Sequence, residues 1–375
     1  MALNITFTQD EIAAPAVNDD KVYYFAGARG IKVGDVALAD VGVPTLCLNL
    51  EEVQESAGTG GDIDKAAQFH FGISDGAVII CTYDNTLDPG PLAAARSKAI
   101  SEIANAQALT GRRPDYFVDC DTFGHDGPKD TPTQAASAEA ALVSRSVGQV
   151  KGCLGVINSR QATEATYKTY LGVNHKARTM PVFGDIVTSS GAPPAAVFAT
   201  CQGLGRETFG DAGGFSNFIC EGVSQIKPRI LFDPTNPPSQ FNSLEGDYGT
   251  FFAVTSDGAV HGYGAFLNPS NQATNKDTLP AHLVIKEDIE RRVEVAVLSI
   301  YNRLGSAFRI GIANKSLRNL VTALEDEEKI ATGGSIEIPL SEVNDRNVQA
   351  SGQVEILGRV QDINVNIHLI DNEGA

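Results

Sequence analysis

The pattern of apolar and polar positions divides the chain into an alternating front and a strand-and-helix rear. Val22–Ala26, Thr45–Leu50, Ala77–Tyr83, Tyr116–Val118, Cys153–Asn158 and Met180–Val182 read as strands. Ala77–Tyr83 is almost wholly apolar, as in a sheet buried on both faces. Ala-rich stretches with good helix formers lie between them. Helices are predicted over Ile63–Phe71, Leu92–Leu109 (ending near Gly111), Thr133–Val150 and Thr163–Leu171, and a further helical stretch begins at Ala195–Thr200. This repeated order predicts a mostly parallel or mixed sheet covered by helices, an α/β fold.

From Cys201 to Asp247 glycines and prolines crowd the chain and predict loops. Phe251–Val254 and Ala259–Tyr263 then read as a hairpin around Ser256-Asp257-Gly258. Ile285, Ile289, Ala296, Ile300 and Leu304 recur at helical spacing, with Glu287, Glu290 and Glu294 on a polar face, which predicts a long helix over Ile285–Ser306. A second helix is predicted over Asn314–Asp326, followed by strands at Ser335–Leu340 and Gln353–Val360. Both termini alternate cleanly. Leu3, Ile5 and Phe7 lie in a short strand before an extended stretch, Gln9–Asp20, and Ile363, Val365, Ile367 and Leu369 in another close to the C-terminus. Such end strands pair within their own domain or extend onto a sheet edge of another subunit.

Charge narrows the function classes. The 375 residues carry a formal net charge of −17 and show no Lys/Arg cluster. Nucleic acid and anionic membranes both call for a basic footprint, so neither is expected as a partner. The length fits two domains, or one elaborated α/β unit. No basic leader and no apolar run long enough to cross a bilayer is visible, so synthesis and folding in a cytoplasm are expected. Cys47, Cys81, Cys120, Cys153, Cys201 and Cys220 are widely spaced and form no C-x-x-C pair, which argues against a zinc site. They read as buried thiols acting as small hydrophobes, or as partners in disulfides formed once an assembled particle meets an oxidising medium.

Candidate chemistry is sparse. Asp119, Asp121, His125 and Asp126 cluster at the end of a predicted strand, where α/β enzymes place their sites, and equally suit a solvated turn. Gly203–Gly210 lacks the spacing of a phosphate loop, and the six histidines show no H-x-x-x-H or H-E-x-x-H spacing. No metal, cofactor or catalytic residue is therefore expected. Arg291 and Arg292 on the long helix suit an acidic partner or intrahelical pairing with residues such as Glu287.

The order of these parts resembles the contractile tail sheath family of myophages and R-type pyocins. Thr110-Gly111-Arg112-Arg113-Pro114-Asp115 is similar to the family's T-G-x-x-P segment, and Gly205–Val223 to its "G…w…s-N…G-V" stretch. Gly258–Gly264 and Glu290-Arg291-Arg292 stand where the family has a hairpin and a long helix with paired arginines. The chain departs from the family in having no Trp, and Gly264-Ala265-Phe266-Leu267 replaces the G-x-R-T element. The resemblance implies a non-enzymatic subunit stacked as hexameric rings around a tail tube, contracting to drive the tube through a host envelope. It implies a linking arm at 1–20, an outer α/β region at 21–250, a tube-facing α+β region at 251–358 and a linking strand at 359–375. The alternating end strands would exchange between subunits. The implied partners are further copies, the tail tube protein, and baseplate and tail terminator proteins, in a virion tail assembled in the bacterial cytoplasm. The alternatives are an α/β enzyme using the Asp119–Asp126 loop, or another tail component such as a baseplate protein.

Overall fold

The computed structural model describes residues 21–32, 37–73, 76–120, 138–142, 153–159, 161–188, 223–264, 268, 283, 286, 289, 290, 292, 293, 307–326, 330–338 and 351–354. The first elements are β1 (Tyr23–Ala28), β2 (Thr45–Cys47), α1 (Leu50–Ala57), α2 (Asp62–Ile73), β3 (Val78–Tyr83), α3 (Pro89–Ser101), α4 (Ala106–Thr110) and β4 (Tyr116–Asp119). They are followed by β5 (Leu154–Asn158), α5 (Glu164–Asn174), β6 (Thr179–Phe183), β7 (Asp185–Thr188), β8 (Val223–Lys227), α6 (Gln240–Gly246), β9 (Thr250–Val254) and β10 (Val260–Tyr263). The last are α7 (Ala307–Asp326), β11 (Ser335–Glu337) and β12 (Ser351–Gln353).

Eight strands form one sheet in the order β10-β9-β6-β5-β4-β1-β3-β2, while β7–β8 and β11–β12 form separate pairs. β1, β3, β4, β5, β6 and β9 run parallel, and β2 and β10 close the two ends antiparallel. The strands β3-β1-β4-β5-β6 follow the doubly wound order 2-1-3-4-5. The apolar runs explain this. All six residues of β1 and all six of β3 are buried. Tyr23, Phe25, Val78 and Ile80 meet Val53, Ile63 and Ala66 of α1 and α2 on one face. Tyr24, Ala26, Ile79 and Cys81 meet Leu92, Ala99, Ile100 and Ile103 on the other. A third cluster of Tyr167, Phe183, Phe241, Leu244, Phe251 and Tyr263 seals the β10 end beneath α5 and α6.

The predicted strand–helix order is observed, with three corrections. The strand predicted over Thr45–Leu50 ends at Cys47, because Asn49 caps α1: its side chain accepts from Glu52 N at 2.9 Å, and the Glu52 carboxylate accepts from Leu48 N at 2.7 Å. The stretch predicted as loops contains β8 and α6, the latter started by Ser239, whose hydroxyl accepts from Asn242 N. The 250–263 hairpin forms as predicted, but it joins the large sheet, so the boundary at 250/251 runs through β9.

A separate core gathers Ile310, Ala313, Leu317, Val321 and Leu324 of α7 with Ile336 and Ile338, and with Ile289 and Val293. The described positions between 283 and 293 are helical; Leu283 belongs to the first core and Ile289 and Val293 to this one. Of the helix predicted at 285–306, positions 286, 289, 290, 292 and 293 are described and helical. β12 lies at 351–353, ahead of most of the strand predicted at Gln353–Val360.

Candidate functional site

In doubly wound folds, ligands sit outside the carboxyl ends of the parallel strands. There the protein has an open cleft of about 590 Å³ lined by Arg29, Gly30, Gly60, Gly61, Asp84 and Thr86 among others. Its polar groups are already committed to one another. The Asp84 carboxylate accepts from Thr86 Oγ1 at 2.7 Å, from Thr86 N at 2.9 Å and from Arg29 Nη2 at 2.8 Å. Those bonds, the Thr86 hydroxyl's foremost, hold its pKa down at about 2. The N-terminus of α2, where such folds seat a phosphate, is filled by the chain itself: Gly60 N donates to Asp64 Oδ2 at 2.7 Å, and Gln54 and Gln68 bond the same buried carboxylate. Gly30 and Gly61 lie so close that a Cβ on Gly61 would stand 2.5 Å from Gly30 N. The cleft is a junction of three loops, and among the described residues its Arg29, Asp84 and Thr86 side chains bond one another.

Asp119, the first residue of the predicted acidic cluster, is buried at the end of β4 opposite Ala26. Asp121, His125 and Asp126 lie outside the described residues, as does Gly203–Gly210. Among the described residues no group of three or more His, Cys, Asp or Glu could hold a metal ion, and no helix is long and apolar enough to cross a membrane.

Of the two readings of the cysteines, the buried thiol is observed for four. Cys47, Cys81, Cys120 and Cys153 are free thiols no more than 1% exposed, packed among the first two core clusters. Burial pushes the Cys47 thiol up to about 12 and the Cys81 thiol up to about 11. In this position none of the four can meet a cysteine of another copy. Cys201 and Cys220 lie outside the described residues.

Surfaces rather than pockets carry the remaining features. β11 and β12 form a two-stranded antiparallel ribbon resting on α7, anchored where the Asn314 side chain accepts from Ile338 N at 2.7 Å and donates to Ile338 O at 3.1 Å. Ile336 faces the core, while Ser335 and Glu337 are exposed. Among the described strands the ribbon has no third neighbour. The outward face of α7 presents Lys315, Ser316, Arg318, Asn319 and Thr322. Sequence reading missed Lys315 and Arg318; their spacing opposite Ala313, Leu317 and Val321 was the available signal.

No family pattern matches the sequence, and no curated protein matches it. Solved structures do match its fold. A chain of the helical sheath of the anti-feeding prophage in the contracted state superposes with a TM-score of 0.66 at 13% identity, covering 96% of this chain and 97% of that one. A chain of the contracted sheath complex of the extracellular contractile injection system PVC gives 0.61 at 10% identity over 98% and 99%. A sheath tail protein from Listeria innocua gives 0.57 at 7% identity over 91% and 96%. This is the fold of contractile-sheath proteins. Within the sheath fold, the T-G-x-x-P segment has a plain mechanical role. Gly111, at φ 71°, ends α4 in the left-handed region, and Asp115 accepts from Val22 N at 2.8 Å, stapling β4 to the start of β1. Arg292 is helical and half-buried. Arg291 and the alternating end residues Leu3, Ile5, Phe7, Ile363, Val365, Ile367 and Leu369 lie outside the described residues.

Proposed function

We propose that the protein is the sheath subunit of a contractile, phage-tail-like assembly, polymerising as stacked hexameric rings around a tail tube and contracting to drive the tube through an envelope. The observation that carries this reading is the likeness of nearly the whole chain to chains of assembled sheaths, 96% to 98% of it for the anti-feeding prophage and PVC structures.

Two surfaces give the reading physical content. A two-stranded ribbon is marginal alone and gains from each strand added at an edge. The β11–β12 ribbon is therefore the natural acceptor for the alternating end strands Leu3–Phe7 and Ile363–Ile370 of neighbouring copies, each backbone hydrogen bond contributing about 0.5–1.5 kcal/mol. Lys315 and Arg318 are exposed and make no ion pair among the described residues, in a chain whose net charge is −17. An acidic tube wall would face them, alongside Arg291 and Arg292 of the preceding helix.

The test is negative-stain electron microscopy of the purified protein at high concentration, alone and with its tube protein. Hollow helical tubes are expected. Monodisperse small particles in every sample overturn the reading. A baseplate role is the second reading, favoured by one observation: a chain of the anti-feeding prophage baseplate superposes equally well, with a TM-score of 0.67 at 12% identity. It predicts closed rings that never lengthen into tubes.

A further inference from the structure

Two patches along the large sheet carry complementary chemistry. Beyond the end of β6, along the side of β9 away from β10, the chain leaving β8 reads Lys227-Pro228-Arg229-Ile230-Leu231-Phe232. Its backbone is fixed to β9, with Val254 N donating to Ile230 O at 2.8 Å and Phe232 N to Val254 O at 2.9 Å. Ile230 is buried, whereas Leu231 is 58% and Phe232 40% exposed. Phe232 is held in place, stacked on Tyr263 at 5.3 Å and set edge-on to Phe241 at 5.1 Å. Lys227 and Arg229 are exposed beside them and make no ion pair among the described residues. The result is a rigid step, apolar at its centre and basic at its flank.

At the edge of the sheet, β2 is flanked by Val43, 40% exposed, and Leu48, 53% exposed. Here the surrounding charge is acidic. Asp40, Glu51 and Glu55 are exposed and make no ion pair among the described residues; Lys98, whose stem lies against Gly42, is the cation beside them. The β2 patch stands at the edge of the sheet and the step in line with β6, five spacings or roughly 24 Å away.

We propose that neighbouring copies of this chain meet through these two patches, the Lys227–Phe232 step of one copy seated against Val43, Leu48, Glu51 and Glu55 of the next. The occupant is a second copy because the patches match each other in both respects, apolar centre to apolar centre and basic flank to acidic flank. Copies that each carry −17 repel overall, so their contact needs a locally charge-matched, apolar surface. A contact between two different patches leaves one free on each copy, and so repeats into a ring or a helix instead of closing as a dimer. The inference rests on the polymer reading above and adds a lateral contact between outer α/β units to the exchange of end strands.

A charge swap in the full-length chain tests it. One variant carries Lys227→Glu and Arg229→Glu; a second adds Glu51→Lys and Glu55→Lys. Circular dichroism checks folding, and sedimentation velocity with microscopy measures the assembled fraction, with tube protein present if the unmodified chain needs it. The first variant is expected to lose assembly and the second to regain it. Assembly of the first variant at the unmodified level overturns the edge contact and leaves the sheath reading standing. Loss in the first without recovery in a folded second variant overturns this pairing of patches. An unmodified chain that never assembles overturns the sheath reading and the edge contact with it.

Discussion

At the residue scale the cysteines show how burial decides chemistry. A thiol reacts as its thiolate, and the desolvated interior disfavours that charge. With the Cys47 and Cys81 thiols pushed to about 12 and about 11, almost none of either is ionised at pH 8. Iodoacetamide at pH 8, followed by peptide mass spectrometry, is expected to leave Cys47, Cys81, Cys120 and Cys153 unmodified in the folded protein and to label them after denaturation. Rapid labelling of these four in the native state would contradict the core described above. Spacing alone identified six isolated cysteines, and the burial of four of them is a property of the sheet that surrounds them.

At the element scale the weakest-looking joint of the large sheet is β6 to β9, a parallel pair of only two registered positions. Tyr167 of α5 reinforces it. Its buried hydroxyl accepts from Thr250 N at 3.0 Å and donates to Pro181 O at 2.8 Å, so one side chain spans both strands. Burial also drives its phenol pKa upward, which keeps the O–H available as a donor. Tyr167→Phe leaves Thr250 N without this acceptor at a cost of about 1–3 kcal/mol. A thermal melt is expected to shift down by several degrees, while an exposed control such as Thr169→Ala moves little; equal melts would show that the hydroxyl is no clamp. Much of the element pattern was legible, because runs such as Val78–Tyr83 can be strands only in a sheet covered on both faces. The capping pair Asn49 and Glu52 was a local signal for α1 that the strand predicted over Thr45–Leu50 overran. The Tyr167 clamp was not, since it joins residues 83 positions apart.

At the scale of the whole molecule, assembly and folding are separable. Among the described residues the large sheet has its own cores, and α7 with β11 and β12 has another. Val365→Asp with Ile367→Asp would put charge into the proposed exchanging strand. The expected outcome is an unchanged melting temperature with loss of long assemblies in sedimentation velocity. A large drop in melting temperature would place that strand inside its own subunit.

Taken by itself, the sequence determined the α/β class, the alternation of strands and helices and the net charge of −17. It also held the order of parts that resembles tail sheaths. These are local or summed properties: periodicity, capping, turn residues and net charge depend on neighbours in the chain. Only the tertiary structure decided that the 250–263 hairpin completes the first sheet, that four cysteines are sealed in its core, and that Asp64 closes the mouth of α2. It alone brought Phe232 onto Tyr263, and set a basic apolar step and an acidic apolar edge five strand spacings apart on one sheet. Each of these joins residues distant in sequence, and strand order, which no local pattern encodes, determines which of them meet.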